Sequence, residues 1–268
     1  MYNFDYHSPD TIEEALRIYE ISEFPKYLAG GMTLIPAMKQ KLSAPTDLIS
    51  LEKINQLKEI EINNENFITI GSMCTHNQIA RSSLLKNKIP GLSYLAENIA
   101  DNAVRNKGTI GGSICNADPA ADFPAAVLCL EGNIITNLRK IKANEFFIDM
   151  FETKLEKREI VKSIELPISK KSYYIKFASQ ASKYAIVGIF SCVKKNKFFI
   201  SITGAANKAF ILEELHNIPI NELKNFNLEN INFSKYSINS DINASSDYRK
   251  ALIKAFIKKS FIKIIDNE

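Results

Sequence analysis

Apolar residues recur along this chain with two periods, and the switches between them mark out three stretches. Ile12, Ala15, Leu16 and Ile18-Tyr19 repeat at helical spacing behind Ser8-Pro9-Asp10-Thr11. Capping residues ahead of such a repeat predict an amphipathic helix. Lys26-Tyr27-Leu28-Ala29 reads as a short strand broken by Gly30-Gly31, after which Leu34, Ile35, Met38 and Leu42 return at helical spacing. Asp47 to Leu51 reads as a further strand. The first unit therefore mixes strand and helix, and we set it at residues 1–56.

From Leu57 the pattern alternates, as expected of half-buried strands, over Lys58–Ile62 and Asn66–Ile70. Helical spacing returns from Thr75 to Arg81 and from Gly91 to about Asn102. Asn133–Thr136 and Glu159–Leu166 read as strands, the second closed by Pro167, which ends a unit spanning residues 57–167. In residues 168–268, Tyr173–Phe177, Ala185–Val193 and Lys197–Gly204 predict a three-stranded antiparallel sheet. Asp247–Ile265 predicts a closing helix with apolar Ala251, Leu252, Ala255, Phe256, Phe261 and Ile264. The Asn-rich stretch from Asn217 to Asn243 shows little pattern, and there is no internal repeat.

The chain has 268 residues, 46% hydrophobic and 24% charged, an ordinary globular composition with material for two or three units. Thirty-four Lys and Arg against thirty Asp and Glu leave +4, too small and dispersed an excess to point to nucleic acid. The runs Lys170-Lys171, Lys194-Lys195 and Lys258-Lys259 read as solvated faces. No run approaches the roughly 20 apolar residues that span a bilayer, and the acid-bearing start Met1–Tyr6 does not resemble a signal peptide. We therefore expect no transmembrane segment and a cytoplasmic location. Cys74, Cys115, Cys129 and Cys192 lie far apart, and His7, His76 and His216 are scattered, so no zinc or iron–sulfur site is expected on this chain.

Two glycine-centred loops carry the candidate chemistry. Ala29-Gly30-Gly31-Met32-Thr33 joins a strand to a helix, where glycine permits positive φ and lets backbone N–H groups approach a ligand closely. A helix beginning near Thr33 would aim further N–H groups at the same place, which suits a phosphate. A tight structural turn is the plainer alternative. The second loop, Gly108-Thr109-Ile110-Gly111-Gly112-Ser113, is followed by Asp118 and Asp122, six and ten residues after Gly112. The amides of two such loops can hold a pyrophosphate between them, and Asp122 can accept hydrogen bonds from ribose hydroxyls. A branched side chain at Gly30 or Gly111 is expected to displace the ligand and leave the fold largely intact. Neither G-x-G-x-x-G nor G-x-x-x-x-G-K-[ST] occurs, so a Rossmann site and a P-loop are unsupported.

Tyr27-Leu28-Ala29-Gly30-Gly31-Met32-Thr33-Leu34-Ile35-Pro36-Ala37-Met38-Lys39 resembles the first flavin-binding motif of the FAD-binding medium subunits of molybdenum hydroxylases. Val104 to Gly112, with Asp118-Pro119 and Asp122-Phe123-Pro124, resembles the second. The likeness is strongest to the carbon monoxide dehydrogenase and aldehyde-oxidising type, with the xanthine dehydrogenase flavin domain a more distant relative. It extends over nearly the whole chain, including Asp247-Tyr248-Arg249 before the last helix.

The resemblance implies an α+β fold: a two-subdomain FAD-binding fold of the vanillyl-alcohol-oxidase-like type plus a small C-terminal α+β domain. It implies non-covalent FAD, with Leu28, Ala29, Gly30, Gly31, Met32, Thr33 and Leu34, and Thr109, Ile110, Gly111, Gly112 and Ser113, wrapping the diphosphate and ribityl chain. Asp122 corresponds to a flavin-pocket acid, Lys176 to a basic residue near the cofactor, and Tyr184 to an aromatic beside the isoalloxazine ring, our candidate catalytic residue. Ile99, Ala100 and Val161 fall on the adenine side. The residues themselves suit these roles, since a Tyr ring packs on a planar heterocycle and an ammonium favours added electron density. Lys176 as an exposed strand residue and Tyr184 as core remain the bland alternatives. The chain departs from the pattern at Ser113, where Asn is usual, at Met32, where a small or polar residue is common, and at Lys183, where an acid often stands.

The resemblance further implies a molybdenum-cofactor large subunit and a small subunit with two [2Fe–2S] clusters as partners, assembled as a dimer of heterotrimers, with electrons leaving to an external acceptor. A stand-alone FAD-dependent oxidase or reductase, and a nucleotide-holding assembly module, are the alternatives.

Overall fold

The structure, a computed structural model, describes residues 1–63, 66–223 and 225–265. Its first layer is a parallel sheet of three short strands, β1 (Asp5–His7), β2 (Pro25–Leu28) and β3 (Asp47–Ser50), in the order β1-β3-β2. Between the strands run α1 (Ile12–Ile21) and α2 (Leu34–Lys39). Thr11 caps α1 as expected, its hydroxyl accepting the Glu14 N–H at 3.1 Å. Ile12, Ala15, Ile49, Leu51, Ile54 and Leu57 form the core beneath this sheet. The β1 strand gives no signal in the sequence, because three half-exposed residues are too few to show a period. Its register comes from β3, reinforced by a 2.8 Å bond between His7 and Asp47.

The second layer is an antiparallel sheet of β4 (Ile60–Ile62), β5 (Phe67–Gly71), β6 (Asn133–Thr136), β7 (Lys140–Lys142) and β10 (Val161–Pro167). The order is β4-β5-β10-β6-β7, with the last strand in sequence at the centre. The small elements α9 (Ala143–Phe146), β8 (Phe147–Asp149) and β9 (Glu152–Thr153) connect β7 to β10. Six helices fill the excursion between β5 and β6: α3 (His76–Arg81), α4 (Ser83–Lys88), α5 (Pro90–Glu97), α6 (Asn102–Lys107), α7 (Ile110–Asn116) and α8 (Phe123–Cys129).

The helix predicted from Gly91 to Asn102 is broken. Its first part ends at Glu97, Ala100 takes a φ of 42°, and Asp101 caps a new helix by accepting the Val104 N–H. Arg105 secures the break by donating to the carbonyls of Ile99 and Ala100 at 2.7 and 3.1 Å. α7 and α8 carry Gly, Ala and Pro in place of a polar–apolar repeat. Their helical state comes from burial, every residue of α8 being buried.

The C-terminal layer contains the three predicted strands as β11 (Ser172–Ala178), β12 (Ala185–Lys194) and β13 (Lys197–Thr203), all antiparallel. The short strands β14 (Phe210–Ile211) and β15 (Ile218–Pro219) both pair with β13 and widen the sheet to five. After α10 (Ile220–Leu223), side-chain oxygens of Asn227 and Asn232 accept backbone N–H groups two residues on. Such local bonding explains the Asn-rich composition there. The closing helix α11 (Ser246–Ile265) buries Ile253, Phe256, Ile257 and Ile264 against the sheet, while Ala251 and Ala255 face outward. Tyr174, Phe190, Cys192 and Phe199 join the core of the second layer, so the C-terminal sheet shares its packing.

Candidate functional site

Where the three layers meet, a cleft of about 610 Å³ opens. Its walls are the β2–α2 loop, the α6–α7 junction and the turn between β11 and β12. Leu28, Ala29, Gly30, Gly31, Met32, Thr33 and Leu34 line it, as do Thr109, Gly111, Gly112 and Ser113. Ile99, Ala100, Asp122, Val161 and Tyr184 line it as well. Ile110 does not: its side chain is fully buried in the core. Lys176 stands behind Asp122.

The two loops differ in what they offer. In the first, Gly31 takes a φ of +72°, and among the described residues no acceptor takes the N–H of Gly30, Gly31, Met32, Thr33 or Leu34. Because α2 has only six residues, its dipole is small; the unengaged N–H groups themselves are what can meet an anion. In the second loop the amides from Ile110 to Ser113 are already engaged. Ile110 donates to Cys74 O at 3.1 Å, Gly111 to Ser72 O at 2.9 Å and Ser113 to Thr109 O at 3.0 Å. Gly112 donates to Thr109 Oγ1 at 3.0 Å, the cap of α7. The expected pair of amide-rich loops is thus uneven: the first offers five unengaged N–H groups, whereas four amides of the second already have protein acceptors.

Asp122 is likewise not a free acceptor. It is 5% exposed, takes a hydrogen bond from the Tyr174 hydroxyl, and receives Lys176 Nζ at 3.0 and 3.1 Å on its two oxygens. Burial pushes its carboxyl above the usual range, while Lys176 and Tyr174 pull it down. The Lys176 side chain is 8% exposed, which removes the reading of a solvated strand residue. Tyr184, 41% exposed, is not core. Its phenol is raised by burial, then by Asp118 and Asp122, with the Thr33 side chain lowering it in part.

Several lining residues escape sequence reasoning. Tyr19 of α1 and Tyr27 of β2 stack with centroids 4.8 Å apart at 24°, and both border the cleft. Ser72 Oγ and His76 Nδ1 are buried without a partner, and both residues line the cleft. Burial, then Arg105, lowers the His76 pKa to about 4. Glu159 is buried but satisfied by Arg139 and Thr136. The eight-residue spacing of the two tyrosines was visible, yet nothing local says that α1 and β2 place them together.

This arrangement fits an elongated nucleotide cofactor. Unengaged loop amides suit a diphosphate, glycines leave room beside them, and the two unpartnered polar atoms lie at the same walls.

Over residues 2–169 the chain matches the family described as the FAD binding domain in molybdopterin dehydrogenase. It is 32% identical over 273 residues to the glyceraldehyde dehydrogenase medium chain of Sulfolobus acidocaldarius, covering 96% of this chain and 97% of that one. It is 26% identical to the nicotine 6-hydroxylase medium subunit of Paenarthrobacter nicotinovorans, over 96% and 95% of the two chains. Among solved structures, it aligns with carbon monoxide dehydrogenase from Hydrogenophaga pseudoflava at a TM-score of 0.88 and 26% identity, covering 99% of this chain and 98% of that one.

Proposed function

The chain belongs to the family of FAD-binding domains of molybdopterin dehydrogenases, and on that premise we propose that it is the flavoprotein subunit of a heteromeric molybdenum-cofactor dehydrogenase. The observation that carries this reading is the first loop, whose five N–H groups lie unengaged on the wall of a cleft built by all three layers. Leu28 to Leu34 would hold the FAD diphosphate, with Thr109, Gly111, Gly112 and Ser113 bounding the opposite wall. Ile99, Ala100 and Val161 would flank the adenine side, and Tyr184 the isoalloxazine ring. A bound FAD would supply redox chemistry between the [2Fe–2S] clusters of a small subunit and an external acceptor.

The chain's own residues bind and orient the cofactor and shield it from bulk water. Substrate oxidation belongs to a molybdenum-cofactor large subunit, in an assembly of two heterotrimers working in the cytoplasm. The relatives support this division of labour, because their names carry substrates as different as glyceraldehyde, nicotine and carbon monoxide over medium chains or subunits that are each 26–33% identical to this chain. Residues 1–56 and 57–167 would form the cofactor-binding halves and 168–268 the part that presents Tyr184. Among the described residues, no helix is long and apolar enough to cross a membrane.

The test is spectroscopic. The purified chain should show flavin absorbance that aldehydes or CO do not bleach, and that bleaches with the same substrates once large and small subunits are added. Rapid substrate-driven bleaching of the isolated chain would favour a stand-alone oxidase. Absence of flavin from both chain and complex would favour an assembly module.

A further inference from the structure

Lys176 lies in β11 with its ammonium turned away from bulk solvent, and its bonding is complete. Nζ donates to both oxygens of Asp122, at 3.0 and 3.1 Å, and to the carbonyl of Lys183 at 3.0 Å. An ammonium has three donors, so each has a protein acceptor and none is left for a ligand. The two acceptors belong to different parts of the fold. Asp122 immediately precedes α8, whereas Lys183 lies in the turn between β11 and β12.

That turn is closed on itself. Lys183 adopts a φ of 62°, its N–H donates to Ser179 O at 3.0 Å, and Ser179 N–H donates to Tyr184 O at 2.9 Å. Lys183 is thus held in a conformation that L-residues adopt reluctantly, and the next residue, Tyr184, lines the cleft. A left-handed residue persists where its surroundings over-determine it. Here the Lys176 bond to the Lys183 carbonyl is one of those restraints.

We propose that Lys176 is a positioning residue: by bonding the Lys183 carbonyl it sets where the Tyr184 ring stands over the cleft, and it does not act on the cofactor by its charge. The inference rests on the flavoprotein reading above. The electrostatics support it, because an ammonium 3.0 Å from a buried carboxylate forms a nearly neutral pair whose field falls off faster than that of a single charge. Asp122 in turn is tied by the Tyr174 hydroxyl, so the strut is fixed at its inner end.

The experiment is a double-mutant cycle of Lys176→Met and Tyr184→Ala in the flavin-loaded full chain, reading the flavin midpoint potential and flavin fluorescence. Removing the ammonium alone would strand a buried carboxylate, so Lys176→Met is made together with Asp122→Asn, which removes the neutral pair as a unit, and each variant is compared with the parent that keeps both. Lys176→Met should shift both signals when Tyr184 is present and neither when it is Ala. An equal shift in the Tyr184→Ala background overturns the proposal in favour of a direct charge effect. A second readout needs no cofactor: in the flavin-free chain, Lys176→Met should accelerate amide hydrogen exchange at Ser179 and Lys183 about fivefold, the opening expected from losing one hydrogen bond. Unchanged exchange refutes the strut. Accelerated exchange in a chain that never takes up flavin keeps the strut and refutes the flavoprotein reading instead.

Discussion

Gly30 lies so close to Lys107 that a Cβ on the glycine would stand 2.0 Å from the lysine's carbonyl oxygen. The backbone of the first loop therefore rests directly on the segment that leads to the second. Gly111 is confined in the same way by Ser72, whose Cβ and carbonyl oxygen would be 2.5 and 2.6 Å from an added Cβ. The expectation that side chains at these positions displace only a ligand is corrected by this packing, since protein backbone would be struck first. Gly112 is different, its nearest neighbours being Thr109 Oγ1 at 3.1 Å and Ala29 Cβ at 3.5 Å.

Gly30→Ala should consequently destabilise the chain itself, by about 1–3 kcal/mol as overpacking does, and lose FAD along with the loop contact. Gly112→Ala should cost little stability while lowering FAD content. Thermal unfolding and flavin-to-protein ratios of both variants check this; a Gly30→Ala protein as stable as the parent would show that the loops can separate.

Tyr184→Ala should retain FAD, because the loop amides are untouched, but shift the flavin potential and widen access for small acceptors. What would be lost is the partly exposed ring on the cleft wall. Potentiometry together with bound-flavin content decides it, and loss of most of the flavin would mean that Tyr184 holds the cofactor rather than screens it.

FAD should be bound non-covalently. Among the described residues Cys115 is the cysteine that lines the cleft, and burial pushes its thiol up to about 12, so it stays protonated and a poor nucleophile. Acid precipitation should leave all the flavin in the supernatant as FAD. Flavin remaining on the pellet would contradict this.

His76 should make the fold acid-sensitive. Its folded pKa of about 4 lies below the unfolded value near 6.5, so the unfolded chain takes up a proton first as pH falls. Stability is lost progressively between about pH 6.5 and 4, amounting to roughly 2 kcal/mol at pH 5. Denaturant titrations of the parent and His76→Phe at pH 7 and 5 should differ by that amount in their pH dependence; parallel curves would acquit His76.

Much of this protein was legible from short-range pattern. Two-residue alternation located β4 and β5, short apolar runs located β6, β10 and the three long strands of the last sheet, and Gly30-Gly31 and Gly111-Gly112 marked the walls of the cleft. Those features depend on residues near one another in the chain, where period and backbone freedom act directly. Pattern was silent on α7 and α8, whose Gly- and Ala-rich segments are helical because the surrounding core leaves their backbone polar groups no other partners. It was equally silent on the central place of β10 between β5 and β6, on Tyr19 stacking with Tyr27, and on Cys74 and Ser72 consuming the amides of Ile110 and Gly111. The pairing of Asp122 with Lys176 joins residues 54 apart in sequence, and no local signal distinguishes a carboxylate awaiting ribose from one awaiting a lysine. Such contacts are chosen by which distant groups reach the same desolvated space, and that choice is made only when the layers pack.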